Sequence, residues 1–288
     1  MLHVLLTIAL MSPVNEDKPG PDPARVKAAV VELDKALKSG TKDEKLKAIQ
    51  KDSEIVDVDV VPAIARAVAD KELDVQRSAI EALRWMDHPA AVDELHAIAK
   101  NRRDLRKEPT LFAALLRAIG QHGSKKSIDV LRDDVWTVLE ASVIEARILG
   151  LGRIRATESV EALMELMKVA GPQRIQNVMP HFRLALARLT GVDKGQSQEL
   201  WQAWWSENKG KFKVAEEAPP LARELQFRWD TYWGKEAPYE RLRKRDEPRH
   251  KLALLAAHHH PPGEPQVAIE PRVEQHTTVD LDAELEMA

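Results

Sequence analysis

The sequence predicts an all-α fold, a right-handed α-solenoid of about five helix pairs that a Trp-rich helical segment closes at the C-terminal end. The first observation is a pattern that recurs at 82–95, 118–131 and 150–163. In each copy a small residue is followed at +1 by Leu or Ile, at +10 by Val or Ile, and at +13 by Leu. The second is apolar spacing typical of helices on both sides of these copies. A repeat of 32 to 36 residues predicts stacked helix pairs, because one pair cannot bury its apolar face alone.

The first predicted helix starts at Pro23, and its apolar residues recur at i, i+3, i+4, i+7 and i+11 from Val26 until Gly40 stops it. Thr41 and Glu44 have the spacing of a capping box and predict the start of the next helix. The β-branched run that follows alternates like a strand, but a lone strand would have no partner. We therefore expect a loop that leads into a helix over about 59–69.

Three further pairs follow in phase, with second helices predicted at about 73–86, 108–121 and 138–152, and a fifth pair is predicted at about 157–169 and 172–189. The predicted core positions of the three second helices are Val75, Ile80, Leu83, Leu111, Leu116, Ile119, Val143, Ile148 and Leu151. Small residues lie four apart on the same helices, at Ser78, Ala82, Ala114, Ala118, Ala146 and Gly150. Small side chains at this spacing favour a close approach of neighbouring helices.

This pattern of a small residue, Leu and a short loop before a second apolar segment resembles the short bacterial HEAT-like repeat, also seen in phycobilisome-lyase-type proteins. The resemblance covers roughly residues 40–210. It implies an array of stacked helix pairs, and it implies little about function because such arrays serve many roles.

The composition changes after Gly191, where Trp201, Trp204 and Trp205 share one helical face at i, i+3 and i+4. They could form an aromatic platform for a sugar, a cation or a proline-rich peptide. We expect instead a structural cap over the apolar end of the array, with Phe212, Phe227 and Trp233 packed over it.

The predicted domains are a leader at 1–22, the repeat array at 23–212, a helical extension at 213–247 with a helix at 221–233, and a disordered tail at 248–288, first Pro-rich and then acidic.

Residues 1–11 form an uncharged apolar run that is too short to span a bilayer but fits a secretory signal, although the basic n-region is missing. We therefore expect export to the periplasm or the extracellular space, and a cytoplasmic protein if this run is not a signal peptide.

The 288 residues hold 43 Lys and Arg against 46 Asp and Glu, so the net charge of −3 disfavours a purely electrostatic DNA binder. The absence of cysteine excludes disulfides and thiolate chemistry.

No catalytic motif occurs in the sequence, and the residues Gly150 and Gly152 do not belong to a phosphate loop because Arg155 replaces the third glycine. We expect no cofactor and no metal site. His258, His259 and His260 lie beside two prolines in a predicted linker and favour at most adventitious metal capture. A basic run near Tyr239, interrupted by acidic residues, is interpreted as a solvated helix end. His88 and His122 are interpreted as solvated turn residues, and His181 as an interior histidine with its hydrogen bonds satisfied.

The predicted function is a non-enzymatic scaffold that presents an elongated surface to an unknown protein or peptide. Arrays of this class usually bind along the concave face, which the second helix of each pair lines. The presumed solvent positions of that face are Arg77, Glu81, Arg84, Arg117, Gln121, Glu145 and Arg153. Their mixed charge suits a protein partner better than nucleic acid. Two alternatives stay open: a lyase-like or substrate-clamping enzyme with paired acidic residues in a pocket, and a nucleic-acid-binding array with a salt-dependent affinity.

Overall fold

The computed structural model describes residues 20–234, and every regular element in that range is helical. Twelve α-helices are joined by turns, loops and three short 3₁₀ segments. The helices are α1 Pro23–Ser39, α2 Lys42–Asp52, α3 Val60–Arg66, α4 Leu73–Trp85, α5 Pro89–Asn101, α6 Pro109–Gln121, α7 Ile128–Arg132, α8 Ala141–Arg153, α9 Thr157–Val169, α10 Pro172–Thr190, α11 Gln198–Asn208 and α12 Arg223–Trp233. The all-α prediction is confirmed for these residues. None of the helices within 20–234 is long and apolar enough to cross a membrane.

Local sequence signals set the helix ends. The backbone N–H of Thr41 donates to the Glu44 carboxylate at 2.7 Å, and the Thr41 hydroxyl accepts from the Glu44 N–H, so the predicted capping box is confirmed. Prolines occupy the first turns of α5, α6 and α10, where a missing N–H removes no helical bond. Gly40 ends α1 by donating its N–H to Ala36 O, as predicted.

Neighbouring helices contact one another in series. The even-numbered helices contact one another in the order α2, α4, α6, α8 and α10. Among the odd-numbered helices, α1 packs on α3 and α3 on α5, while α7 packs on α9 and α9 on α11. The predicted core positions of α4, α6 and α8 are all buried, at Val75, Ile80, Leu83, Leu111, Leu116, Ile119, Val143, Ile148 and Leu151. The helical phase derived from the repeat is therefore confirmed.

Two glycine contacts bring neighbouring even-numbered helices into backbone contact. A Cβ atom added at Gly120 of α6 would lie 2.7 Å from Gly150 Cα of α8. A Cβ atom added at Gly152 of α8 would lie 2.6 Å from the Cβ of Ala185 on α10. The prediction of close approach at Gly150 is confirmed, whereas Ala82 is only half-buried.

The leader up to residue 19, the residues of the extension from 235 onward, and the tail at 248–288 lie outside the described residues. The predictions for the basic run and for His258, His259 and His260 fall in that part of the chain.

Candidate functional site

The last described helix, α12, lies against α4, α6 and α8, far from it in sequence. Trp233 is buried, and its Cη2 atom would be 3.0 Å from a Cβ atom at Gly120. The guanidinium of Arg84 donates a hydrogen bond to the backbone oxygen of Trp233. We call the surface of α4, α6, α8 and α10 that α12 contacts the even-helix face. The predicted binding positions on this face are therefore beside a segment of the same chain.

Three arginines of the even-helix face lie against three aromatic rings of α12. The guanidinium carbon of Arg117 is 5.0 Å from the ring centroid of Tyr232, that of Arg153 is 4.9 Å from Trp233, and that of Arg188 is 5.5 Å from Trp229. Each distance is within the range of a cation–π contact, which contributes about 0.5 to 2 kcal/mol depending on desolvation. Arg–aromatic contacts thus join α6, α8 and α10 to one helix.

The segment before α12 is held through its main chain. Arg155, in the turn after α8, donates to the backbone oxygens of Ala215 at 2.5 Å and Glu217 at 2.9 Å. Arg188 donates to the oxygen of Pro219 at 3.2 Å. These donors form hydrogen bonds with backbone carbonyl groups, which every residue carries. They therefore position the segment whatever its sequence.

Arg84 was predicted to be solvent-exposed, and this prediction is wrong: only 3% of the residue is exposed, because α12 covers it. Its Nη1 donates to Glu81 at 2.9 Å, and its Nη2 lies 3.3 Å from Gln121 Oε1. Burial lowers the pKa of Arg84 to about 10. Glu81 also accepts from the Trp85 indole at 2.8 Å, so it is not a free solvent position.

The remaining predicted positions differ in their contacts. Arg77 is exposed, and its guanidinium is 3.5 Å from the Thr110 hydroxyl. Arg153 is half-buried and donates through Nε to the backbone oxygen of Gln121 at 2.9 Å. The structure therefore brings together Arg84, Glu81, Gln121, Arg117 and Arg153 around α12 and leaves Arg77 outside that group.

Glu145 and His181 form a half-buried pair beside α12. Nδ1 of His181 is 3.3 Å from Glu145 Oε1, yet it makes no hydrogen bond, so the prediction of a satisfied histidine is wrong. Burial and, to a lesser extent, the nearby Arg228 guanidinium lower the pKa of His181 to about 4. Burial raises the pKa of Glu145, and it also raises the pKa of Tyr232. The neutral forms of these groups are favoured here because little water reaches them.

Two turn histidines are also less exposed than the sequence suggested. His122 is half-buried, and its Nε2 lies 3.0 Å from Leu83 O, while burial lowers its pKa. His88 is half-buried as well, and its Nδ1 accepts from the Ala90 N–H at 3.1 Å, which caps α5. Each ring is thus only partly solvated, and one of its nitrogens has a backbone partner.

The Trp segment lies on α11, which packs on α9. Trp201 is fully buried and donates through Nε1 to Gly195 O at 3.1 Å, Trp205 is buried, and Trp204 is half-buried with its ring centroid 5.4 Å from that of Phe212. Phe227 does not pack over these rings, since 72% of it is exposed, and Trp233 lies on the even-helix face instead.

Sequence reasoning missed the position of α12. Its aromatic residues Trp229, Tyr232 and Trp233 fall at i, i+3 and i+4, a spacing that places them on one side of the helix. The sequence signals for this contact were that aromatic stripe and the arginines at the presumed outer positions of the repeat. Within residues 20–234, no group of three or more His, Cys, Asp or Glu side chains could hold a metal ion.

Comparison of the sequence with protein-family models and with curated proteins found no match.

Proposed function

We propose that this protein is a HEAT-like scaffold, a right-handed solenoid of about five helix pairs, that binds an aromatic helix of a partner protein on the even-helix face. The packing order of the even-numbered helices and the buried repeat positions support the array. The observation that carries the binding function is the docked α12. It shows the chemistry that this face offers to a helix.

The face provides two kinds of recognition. Arg117, Arg153 and Arg188 offer cations to aromatic rings, and the glycine contact at Gly120 leaves room for an indole. Arg155 and Arg188 offer donors to the main chain of the segment that leads into the helix. A partner helix with aromatic residues at i, i+3 and i+4 would therefore satisfy the face as α12 does.

The same contacts make α12 an intramolecular competitor. A tethered segment has an effective concentration of the order of millimolar, so it occupies the face unless the partner binds more tightly. The exposed side of α12, which carries Phe227, contributes little to this competition. The strength with which α12 competes against a partner should therefore depend on Trp229 and Trp233 and not on Phe227.

A synthetic peptide with the sequence of residues 218–234 tests the proposal. Its affinity is measured by fluorescence anisotropy for the full chain, for the Trp229→Ala/Trp233→Ala variant, and for Phe227→Ala as the control on the same helix. We expect the double variant to bind the peptide at least about tenfold more tightly than the parent, because its own helix no longer competes. Phe227→Ala should behave like the parent.

A peptide in which both tryptophans are alanine should not bind any of the three proteins. Circular dichroism checks that the double variant retains its helices. Equal, weak binding of the peptide to a folded double variant and to the parent would show that the even-helix face does not recognise a free helix.

A further inference from the structure

A second feature of the structure does not involve α12. A cavity of about 1110 Å³ is lined by α5, α6, α7, α8 and α9. The helix α7 has only five residues, whereas α5 and α9 have thirteen each, so it leaves space between them. This volume is as large as that of typical small-molecule sites.

A buried arginine faces this cavity. Arg147 of α8 is only 2% exposed, and its Nη1 donates to the backbone oxygens of Val130 at 2.9 Å and Leu131 at 3.1 Å. Its Nε is buried and makes no hydrogen bond. Burial lowers the pKa of Arg147 to about 10, which still leaves it charged at neutral pH. A buried cation that no carboxylate contacts directly is unfavourable, because carbonyl dipoles replace only part of its hydration.

Arg106 is a second cation in the lining. Its guanidinium carbon is 5.8 Å from the ring centroid of Phe112, and that of Arg147 is 5.5 Å from the same centroid. Nε of Arg106 is also buried without a hydrogen-bond partner. Its positive charge is the second cause, after burial, of the lowered pKa of Arg147, so the two guanidinium groups repel each other.

The charges of Asp133 and Asp134 favour the charged form of Arg147, but no carboxylate within residues 20–234 forms an ion pair with it. Asp134 pairs with Arg106 at 3.1 Å, and Asp129 pairs with Arg132 at 3.1 Å. Asp133 and Glu165 line the cavity but are exposed, and no ion pair within residues 20–234 joins either of them to Arg147. The deep part of the cavity therefore holds a guanidinium group without an ion-pair partner among the described residues, whereas its exposed rim carries both signs of charge, from Asp129, Asp133, Asp134, Glu165, Lys100, Arg103 and Arg132.

We propose that this cavity binds a small organic anion whose carboxylate or phosphate group is held by Arg147 and Arg106. The unpaired Nε atoms are the donors for that group, since a guanidinium fork matches both oxyanions. The apolar part of the ligand lies against Phe112, Leu116 and Leu166, which also line the cavity. Because the charges of the rim are mixed, it offers no continuous basic surface for a long polyanion such as nucleic acid, so the ligand is a small molecule.

Two aromatic anions and a neutral analogue serve as probes of the full chain: phenyl phosphate, benzoate and benzyl alcohol. Binding is measured by saturation-transfer NMR and by the shift of the melting temperature. We expect at least one anion to bind below about 5 mM and benzyl alcohol to bind more weakly than either anion. A preference for phenyl phosphate assigns the natural ligand to phosphates, and a preference for benzoate assigns it to carboxylates.

The variants Arg147→Met and Arg106→Gln should each weaken anion binding by about tenfold or more, whereas Arg66→Gln, an exposed arginine of α3 paired with Asp34, should not change it. Arg106→Gln remains informative if Arg147→Met does not fold, because Arg106 is only partly buried. If neither anion binds the parent, or if both arginine variants bind like the parent, Arg147 is a purely structural link between α8 and α7 and the proposal fails.

Discussion

Single buried charges make the stability of this chain depend on pH. Asp52, at the end of α2, is fully buried and neither carboxylate oxygen has a hydrogen-bond partner. Burial and, to a lesser extent, the nearby Glu32 carboxylate raise its pKa to about 6. Because the folded pKa exceeds the unfolded value, this group stabilises the fold fully below about pH 4, and the contribution is lost as the pH rises through about 6.

Asp52→Asn should therefore stabilise the protein at pH 7, by about 1 kcal/mol after a discount for solvent screening, and should not stabilise it at pH 4. The variant removes a desolvated charge at neutral pH, whereas the parent is already neutral in acid. Urea titrations at the two pH values measure the free energy of unfolding. Asp34→Asn, at an exposed ion pair, is the control and should show no such gain at pH 7. An equal gain for Asp52→Asn at both pH values would contradict the assigned pKa.

His181 acts in the opposite direction. Its folded pKa of about 4 is below the unfolded value of about 6.5, so its protonation favours the unfolded chain as the pH falls from about 6.5 to about 4. In the parent the two groups partly cancel between pH 4 and 6. Replacing one of the two groups therefore makes the pH dependence that the other contributes more pronounced.

At the scale of elements, the sequence was most informative where structure is local. Helix periodicity predicted α9 and α10 to within a residue at each end, because a buried stripe and a proline in the first turn are local signals. The docking of α12 was not predictable in this way. Arg84 and Trp233 are 149 positions apart, and no periodic pattern encodes that contact.

The contact between α8 and α10 gives a direct test of helix packing. Gly152→Ala should destabilise the protein by about 1 to 3 kcal/mol, because the added Cβ would be 2.6 Å from Ala185 Cβ and 2.8 Å from its Cα. Gly171→Ala is the control, since nothing lies within 4 Å of its added Cβ, and its cost should stay below about 0.5 kcal/mol. Chemical denaturation compares the two variants. If they are equally stable, helices α8 and α10 are not in backbone contact.

For the whole molecule, an array of nearest-neighbour units should lose structure from the end at which it is damaged. Trp201 is fully buried on α11, whereas Trp204 is half-buried, so the structure assigns the larger role to Trp201. Trp201→Ala should cost about 3 to 5 kcal/mol, and Trp204→Ala should cost less.

Hydrogen exchange shows where the Trp201→Ala variant loosens. We expect faster exchange in α9 and α11 first, with α1 to α3 unchanged. Uniform loosening of all helices would indicate one cooperative core and not an array.

The predicted binding positions show what sequence can and cannot give for a site. The repeat phase placed Arg84, Arg117 and Arg153 on the side of the even-numbered helices that faces α12, which is where the structure has them. The repeat phase could not show that α12 covers this side. The exposure of a residue depends on every segment of the chain and not only on the helix that carries it. The sequence pattern did not predict the cavity beside Arg147 either. The cavity lies where the five-residue helix α7 leaves space between α5 and α9, so it depends on several segments of the chain.

The most direct test of the central claim is hydrogen exchange of α12 after changes made only on the even-helix face. In the Arg117→Met/Arg153→Met variant, which removes two cation–π contacts but keeps apolar side chains, amides of residues 223–233 should exchange about tenfold faster or more than in the parent. Arg77→Met, an exposed change on α4, should leave them unchanged. Unchanged protection of residues 223–233 in the double variant would contradict the claim that this face holds α12 through its arginines.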